Sequence, residues 1–287
     1  MEYDLTRIHE TNLKMLKEID RICRKYKIQY MLDAGTLLGA VRHQGFIPWD
    51  DDVDIAFTRS NYQAFLKVAR RELPDTMALV MPEELGNGNT FFDFTARVIY
   101  KNSRRHENTE EMQYYGGKLN HLWVDLFIID ELPQKKWPAN VTLFMHKAIY
   151  LLAMGHRYHL DYSKYSLFHK AAVGIVSKVG RLIPMKWIFK MQEMTALKDR
   201  KGKSNLRYYS NYQPDYLYVT LQKEWCEEVV DLDFCDTKLM ASKYWHEVLT
   251  WIYGDYMKLP PKEQRVPAHS TVLIQIFDDE AVTTDER

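Results

Sequence analysis

Long apolar runs are missing from this chain. The best of them, Ala148 to Met154, follows directly on His146 and Lys147 and falls far short of the roughly 20 residues that span a bilayer. The sequence therefore does not read as an integral membrane protein. Cysteine is scarce: Cys23, Cys226 and Cys235 form no CxxC pair and are odd in number. That argues for reduced thiols in a cytosolic protein and against a cysteine metal site. Net charge is absent too, with 39 basic residues against 39 acidic ones, so bulk charge makes no case for nucleic-acid binding. There are no internal repeats and no low-complexity linker, and the acidic opening Met1-Glu2-Tyr3-Asp4 is unlike a signal peptide. What remains is a 287-residue chain, 46% apolar, with room for one large domain or two small ones around a sizeable core. Nineteen Tyr and seven Trp supply rings with polar handles, suited to a sugar or cationic ligand as well as to ordinary packing.

The apolar spacing predicts a first helix through Leu5, Ile8, Leu16, Ile19, Cys23 and Tyr26, ending near Lys25 to Lys27. Strands are expected over Ile28–Leu32, Asp52–Phe57, Thr90–Tyr100 and His121–Ile129, with helices over Leu37–Val41 and Asn61–Leu73. From Trp137 onward the character becomes helical and basic. Ten basic residues between Lys164 and Lys203 (including Lys178, Arg181, Lys186, Lys190, Arg200 and Lys201) face only Glu193 and Asp199, and ten less two leaves +8. A basic amphipathic stretch carrying Trp187 suits a membrane interface, and equally a helical subdomain with a solvated lysine face. The residues from Asp278 to Arg287 read as an acidic tail. The expected fold class is α/β (α+β): a mixed-sheet core over 1–136, a basic helical insert over 137–215, and a C-terminal part over 216–287 packing back on the core.

The densest chemistry lies in Trp49-Asp50-Asp51-Asp52-Val53-Asp54-Ile55, four carboxylates in five positions. In an extended chain Asp50, Asp52 and Asp54 share one face, while Asp51 and Val53 point away. Like charges about 4 Å apart repel by roughly 4 kcal/mol at an effective dielectric near 20, so such a group calls for a cation. Oxygen donors without His or Cys select Mg²⁺ or Mn²⁺. An isolated Asp cluster is more often a solvated turn, but two neighbours change that balance. Gly35-Thr36 sits at an expected strand-to-helix turn, where free N–H groups and the helix dipole favour phosphate. Asp125 stands alone in the apolar strand Trp123-Val124-Asp125-Leu126-Phe127, where an unpartnered carboxylate would be costly. A glycine-led helix start, a DxD and a later strand aspartate together form the arrangement of nucleotidyltransferase-type metal sites.

The stretch from Asp33 to Ile55, with Gly35-Thr36, Arg42-His43, Gly45-Phe46 and Pro48-Trp49-Asp50-Asp51-Asp52-Val53-Asp54, strongly resembles the LicD family of phosphocholine transferases. More distantly it resembles the fukutin-type ribitol-phosphate transferases. The resemblance continues through Trp123 to Pro133 and returns at Tyr253-Gly254-Asp255-Tyr256 to Pro261, and it is weakest across the basic insert. It implies a nucleotidyltransferase-like core, a divalent metal and a CDP-linked alcohol as donor. It further implies CDP-choline as that donor and a sugar hydroxyl of a lipid-linked teichoic acid or lipopolysaccharide precursor as acceptor. The expected location is the cytoplasmic face of the cell membrane. The same site with CDP-ribitol or CDP-glycerol, and a non-catalytic scaffold in glycan assembly, are the alternatives.

Expected roles follow. Asp52 and Asp54 are metal ligands, Asp125 is a third ligand or the base for the acceptor hydroxyl, and Asp50 is a further ligand or a support. Gly35 and Thr36 hold phosphate, with Arg42 and Arg97 as phosphate clamps. Trp49, Phe46, Tyr30 and Trp123 are the rings nearest the site in sequence, for a choline cation or for the core. His121 and His43 are candidate proton carriers, and Glu263, Arg265 and His269 candidate closing residues over the nucleotide.

Overall fold

The computed structural model describes residues 5–105, 109–160, 167–198, 203–267 and 274–277. Met1 to Asp4, Lys164, Asp199, Arg200, Lys201, His269 and the tail from Asp278 lie outside them. The first half carries α1 (Leu5–Tyr26), β1 (Met31–Leu32), α2 (Ala34–His43), β2 (Asp54–Thr58), α3 (Arg59–Glu72), β3 (Met77–Val80), β4 (Ala96–Tyr100), β5 (Ser103–Arg104), α4 (Glu110–Tyr114) and β6 (Leu122–Leu132). Then come α5 (Lys136–Ala153), α6 (Leu167–Gly180), α7 (Met185–Leu197), β7 (Leu206–Tyr209), β8 (Thr220–Gln222), β9 (Val229–Phe234), β10 (Thr237–Ser242), α8 (Trp245–Tyr253) and β11 (Gln275–Ile276). The mixed α and β content agrees with the expected fold class. Among the described residues no helix is long and apolar enough to cross a membrane.

One seven-stranded sheet organises the molecule, in the order β1-β2-β6-β4-β3 with β7 and β8 attached beyond β6. Its axis is β6, whose residues alternate between core and partial exposure from Leu122 to Phe127. Leu122, Val124, Leu126 and Ile128 fill the core, together with the face of α1 formed by Ile8, Met15, Leu16, Ile19, Ile22 and Cys23. That helix closes at Lys27, whose φ of 55° turns the chain so that Ile28 N–H bonds Cys23 O at 2.8 Å. One edge of β6 pairs in parallel with β2, from Asp54 opposite Asp125 to Thr58 opposite Ile129. The other edge pairs antiparallel with β4 as far as Leu126, then with β7 from Ile129. Asn211 bridges the gap: its Oδ1 accepts from Ile128 N–H at 2.8 Å and its Nδ2 donates to Leu126 O at 3.1 Å.

Several expected elements change length for local reasons. The strand expected from Ile28 begins only at Met31, because Ile28 N–H still closes α1 on Cys23 O and Gln29 N–H donates to Asn61 Oδ1 at 3.3 Å, not to a neighbouring strand. The strand expected from Thr90 begins only at Ala96, since the Asp93 carboxylate accepts from Thr95 N–H at 2.8 Å and holds a turn there. The short helix expected at Leu37 runs from Ala34 to His43. Within the stretch expected to be helical, β7 returns to the sheet after α7 ends at Leu197. The β9–β10 hairpin packs on the core through Phe234, Leu239 and Ala241, and Met240 N–H donates to Tyr30 Oη at 3.3 Å.

Candidate active site

Sheet register builds the centre of the site. Asp54 of β2 and Arg97 of β4 both pair with Asp125 of β6, so three neighbouring strands present Asp54, Asp125 and Arg97 in one row on one face. Asp125 N–H donates to Val53 O at 3.0 Å, and Asp33 N–H donates to Asp54 O at 3.1 Å. Upstream of β2 the expected alternation holds: Asp51 and Val53 are buried, while Asp50, Asp52 and Asp54 keep partial exposure. Five aspartates (Asp33, Asp52, Asp54, Asp93 and Asp125) and Arg97 line a cavity of about 800 Å³, within the size range of small-molecule sites. Much of the remaining lining is aromatic, including Phe127, Tyr212, Tyr216, Trp251 and Tyr253.

One buried cation serves this acidic row. Arg97 donates to Asp93 at 3.0 and 2.5 Å and to Thr95 O at 3.1 Å. Its Nε lies 2.9 Å from Asp125 Oδ1, without the angle a hydrogen bond needs, so both atoms remain buried with no hydrogen bond. Asp125 Oδ2 accepts from Trp123 Nε1 at 3.0 Å. Burial pushes the Asp125 carboxyl up to about 6 against the pull of Arg97, with the charges of Asp93 and Asp52 adding to the rise. Burial, and then the charges of Asp125, Asp52, Asp33 and Asp50, hold Asp54 well above the usual carboxylate range. Burial lowers the affinity of Arg97 for its proton, but Asp125 and Asp93 outweigh it and keep the guanidinium charged.

Asp33 is a third acidic position, almost fully buried. Tyr209 Oη donates to its Oδ1 at 2.6 Å and Tyr212 Oη to its Oδ2 at 2.9 Å. Burial raises its carboxyl, and the two phenol donors restrain the rise. The rings of Tyr209 and Tyr212 stack at 4.4 Å, and Tyr212 meets Phe127 edge-on at 4.2 Å. Asp33 therefore anchors an aromatic wall to the acidic floor.

Of the residues singled out in the sequence, Asp52, Asp54, Asp125 and Arg97 line the cavity, whereas Gly35, Thr36, Arg42, Trp49 and Asp50 do not. Thr36 Oγ1 is buried and accepts from Asp54 N–H at 2.9 Å, tying α2 to β2. A Cβ on Gly35 would lie 2.4 Å from Asp50 Oδ2, so glycine lets that carboxylate seat against the first turn of α2. Arg42 donates to Tyr256 O and to His43 Nε2, both at 3.0 Å. Burial and the nearby positive charge of Arg265 make it easier to deprotonate than usual. The Arg265 guanidinium lies 5.6 Å from the Trp49 ring centre. Among the expected rings, Tyr30 donates to Asp20 at 3.0 Å within the core, and Phe46 packs between His9 and Phe234. Trp123 reaches the site through its N–H to Asp125, and His121 Nδ1 is bonded to Ser103 O at 2.7 Å.

Asp93 escaped the sequence reading, although it stands among Phe91, Phe92 and Phe94 much as Asp125 stands in its own apolar strand. Tyr212, Tyr216 and Trp251 carry no local pattern that could have found them, because only the tertiary fold assembles them.

The donor set fits a hard divalent cation. It is all oxygen, one buried carboxylate oxygen of Asp125 lacks a hydrogen bond, and crowding lifts the proton affinity of its neighbours as unneutralised charge does. Asp50, Asp51 and Asp52 can also each bring one oxygen within 4.8 Å of the others, so Asp52 belongs to both groupings.

Carboxylates from adjacent strands, a compensating arginine and an aromatic wall thus surround one cavity, as the arrangement expected of a nucleotidyltransferase-like core would. Residues 27–150 match the family model for the LicD/FKTN/FKRP nucleotidyltransferase domain. Over 268 residues the chain is 30% identical to the lipopolysaccharide cholinephosphotransferase LicD of Haemophilus influenzae, covering 90% of this chain and 92% of that protein. Shorter matches join it to two uncharacterized Rickettsia proteins. That of Rickettsia typhi is 42% identical over 55 residues (19% of this chain, 18% of that protein). That of Rickettsia prowazekii is 52% identical over 42 residues (15% of this chain, 16% of that protein). The chain belongs to the LicD family, a family of transferases.

Proposed function

We propose that this protein transfers phosphocholine from CDP-choline to a sugar hydroxyl of a lipid-linked surface glycan precursor, with Mg²⁺ or Mn²⁺ as cofactor. Likeness across nine-tenths of the chain to a lipopolysaccharide cholinephosphotransferase supports the reaction class. The observation that carries the reading is one cavity in which Asp52, Asp54 and Asp125 meet an aromatic wall. Asp52 and Asp54 would hold the metal, with Asp125 and Asp50 beside them, and when bound it neutralises the diphosphate as negative charge builds on the CMP leaving group. The chain's own residues do the rest. Asp125, whose carboxyl lies near 6, takes the proton of the acceptor hydroxyl. The hydroxyl oxygen bonds to the phosphorus that carries choline, and the bond from that phosphorus to the CMP oxygen breaks. Arg97 holds Asp125 in place against repulsion from Asp93 and Asp54. Tyr212, Tyr216, Trp251 and Tyr253 offer ring faces to the trimethylammonium group, at about 0.5–2 kcal/mol each. Arg42 and Arg265 are neighbouring cations outside the cavity lining, with Arg42 bonded to Tyr256 O and Arg265 to Pro260 O, so the phosphate role expected of Arg42 is not part of this reading.

The test is CMP release from CDP-choline by purified protein with Mg²⁺ and lipid-linked acceptor, run beside CDP-ribitol and CDP-glycerol. Wild-type protein should prefer the choline donor, and Asp54→Asn should lose about a thousandfold or more. A preference for ribitol or glycerol moves the donor assignment. Equal activity in Asp54→Asn removes the proposed centre altogether.

A further inference from the structure

The helical layer leaves apolar side chains in solvent in an ordered way. Along α6, Ile175, Val179 and Leu182 of the following turn recur on one line; Ile175 is 66% exposed and Leu182 83%. Trp187, at the start of α7, is 51% exposed. The opposite side of α6 is fixed. A Cβ on Gly180 would fall 1.9 Å from Leu152 O, and one on Gly155 would fall 2.1 Å from Ser177 O, so the backbones of α6 and the end of α5 are in direct contact. His156 Nε2 adds contacts of 3.1 and 3.0 Å to the carbonyls of Gly180 and Ile183. The helix cannot roll to hide its apolar line.

Around that line basic residues predominate, although Glu83 and Glu193 share a groove with Lys186 and Lys190. Between residues 167 and 197 the only acid is Glu193, against Lys170, Lys178, Arg181, Lys186 and Lys190. Lys178, Arg181, Lys186 and Lys190 are exposed and form no ion pair among the described residues. The ammonium groups of Lys186 and Lys190 lie 5.9 and 5.3 Å from the Trp187 ring centre.

We infer that the face built by Ile175, Val179, Leu182 and Trp187, with its surrounding lysines and arginine, docks on a bilayer surface carrying anionic headgroups. Apolar side chains and an indole enter the headgroup boundary while the cations meet lipid phosphates. Protein–protein interface cores are depleted in lysine, and a second copy of the chain would oppose this face with its own positive charge. The layer also reaches the cavity. Tyr150 of α5 and Phe189 of α7 pack on Phe94, next to the cavity-lining Asp93. Docking would therefore hold the cavity one packed layer from the lipid, whichever donor it takes.

Flotation of the full chain with vesicles tests this. The comparison is phosphatidylcholine alone against phosphatidylcholine with roughly one-third phosphatidylglycerol. The protein should float with the anionic vesicles, and added salt should release it. K186E/K190E should lower the partition coefficient at least tenfold, and L182D should lower it comparably with an unchanged melting temperature. No flotation, equal flotation with both vesicles, or flotation unchanged in both variants overturns the proposal. So does a concentration-dependent dimer in sedimentation that L182D abolishes, since the face would then join two copies.

Discussion

Replacing Asp125 by asparagine should stabilise the metal-free protein while removing its transferase activity. The folded-state carboxyl lies near 6 instead of its ordinary 3.8. Between those values the folded chain holds a proton that the unfolded chain has released. The contribution of this group to stability therefore falls as pH rises through that window, and it stays missing above it. At about 1.4 kcal/mol per pH unit the loss near neutrality is roughly 3 kcal/mol. Asparagine has nearly the same shape, cannot ionise, and keeps an oxygen for Trp123 Nε1, now 3.0 Å from Oδ2. Arg97 retains both bonds to Asp93, so the substitution leaves no buried cation unpaired. The gain should raise the melting temperature by roughly 5–10 °C for a chain of this size. Thermal or urea unfolding in a chelating buffer, from about pH 4 to pH 8, reads the effect. The variant should match wild type at the acid end and draw ahead as pH rises toward 6. Saturating Mg²⁺ should narrow the gap by stabilising wild type more. A variant equally or less stable near neutrality, or a difference that does not change with pH, would refute the charge-crowding account.

Gly35→Ala should cost under about 1 kcal/mol of stability, because the new Cβ meets only the end of the Asp50 side chain. It should weaken metal binding, measured by calorimetry, as that carboxylate is displaced. His146 pulls the pH profile the other way from Asp125. Burial pushes its imidazole down to about 4, beside the Tyr208 hydroxyl at 2.7 Å, so the unfolded chain binds its proton first as pH falls. Stability present above about 6.5 should be lost toward pH 4, by roughly 3 kcal/mol, and His146→Gln should flatten that part of the wild-type unfolding curve. Asn211→Leu leaves Ile128 N–H and Leu126 C=O unpaired. It should cost about 2–4 kcal/mol in urea unfolding and raise the KM for donor, because Tyr209 and Tyr212 flank it.

Sequence pattern revealed those parts of this molecule that repeat or that violate a local rule. α1 and β6 were legible because their apolar periods run for many residues. Asp52, Asp54 and Asp125 were legible because carboxylates crowd there or interrupt an apolar strand. The pieces β7, β8, β9 and β10 span three to six residues each and give no pattern above background. Among the described residues β9 and β10 pair only with each other as a hairpin, whereas β7 takes its register from β6, far back in the chain. The aromatic wall was unreadable for the same reason. Phe127, Tyr212 and Trp251 come from three distant segments, and nothing local separates a cavity-facing ring from a core ring such as Tyr30. Arg97 was legible as a cation near the site, but its engagement by Asp93 depends on a turn that cuts β4 short.

Folding and the proposed chemistry make the same demand on β6. Its even-numbered residues Val124, Leu126 and Ile128 fill the core beneath the sheet. Because side chains alternate strictly, that burial alone directs Asp125 and Phe127 to the cavity. A one-residue slip against β2 would turn Asp125 into the apolar layer and bring Val124 or Leu126 opposite Asp54. Burying a carboxylate there without a partner costs several kcal/mol, a sizeable share of the stability of an ordinary domain. The Asp54–Asp125–Arg97 row is therefore held in place by the hydrophobic core more than by attraction within the row, where two of the three groups repel. A site assembled this way tolerates its own electrostatic strain, which lets it keep more negative charge together than one arginine neutralises.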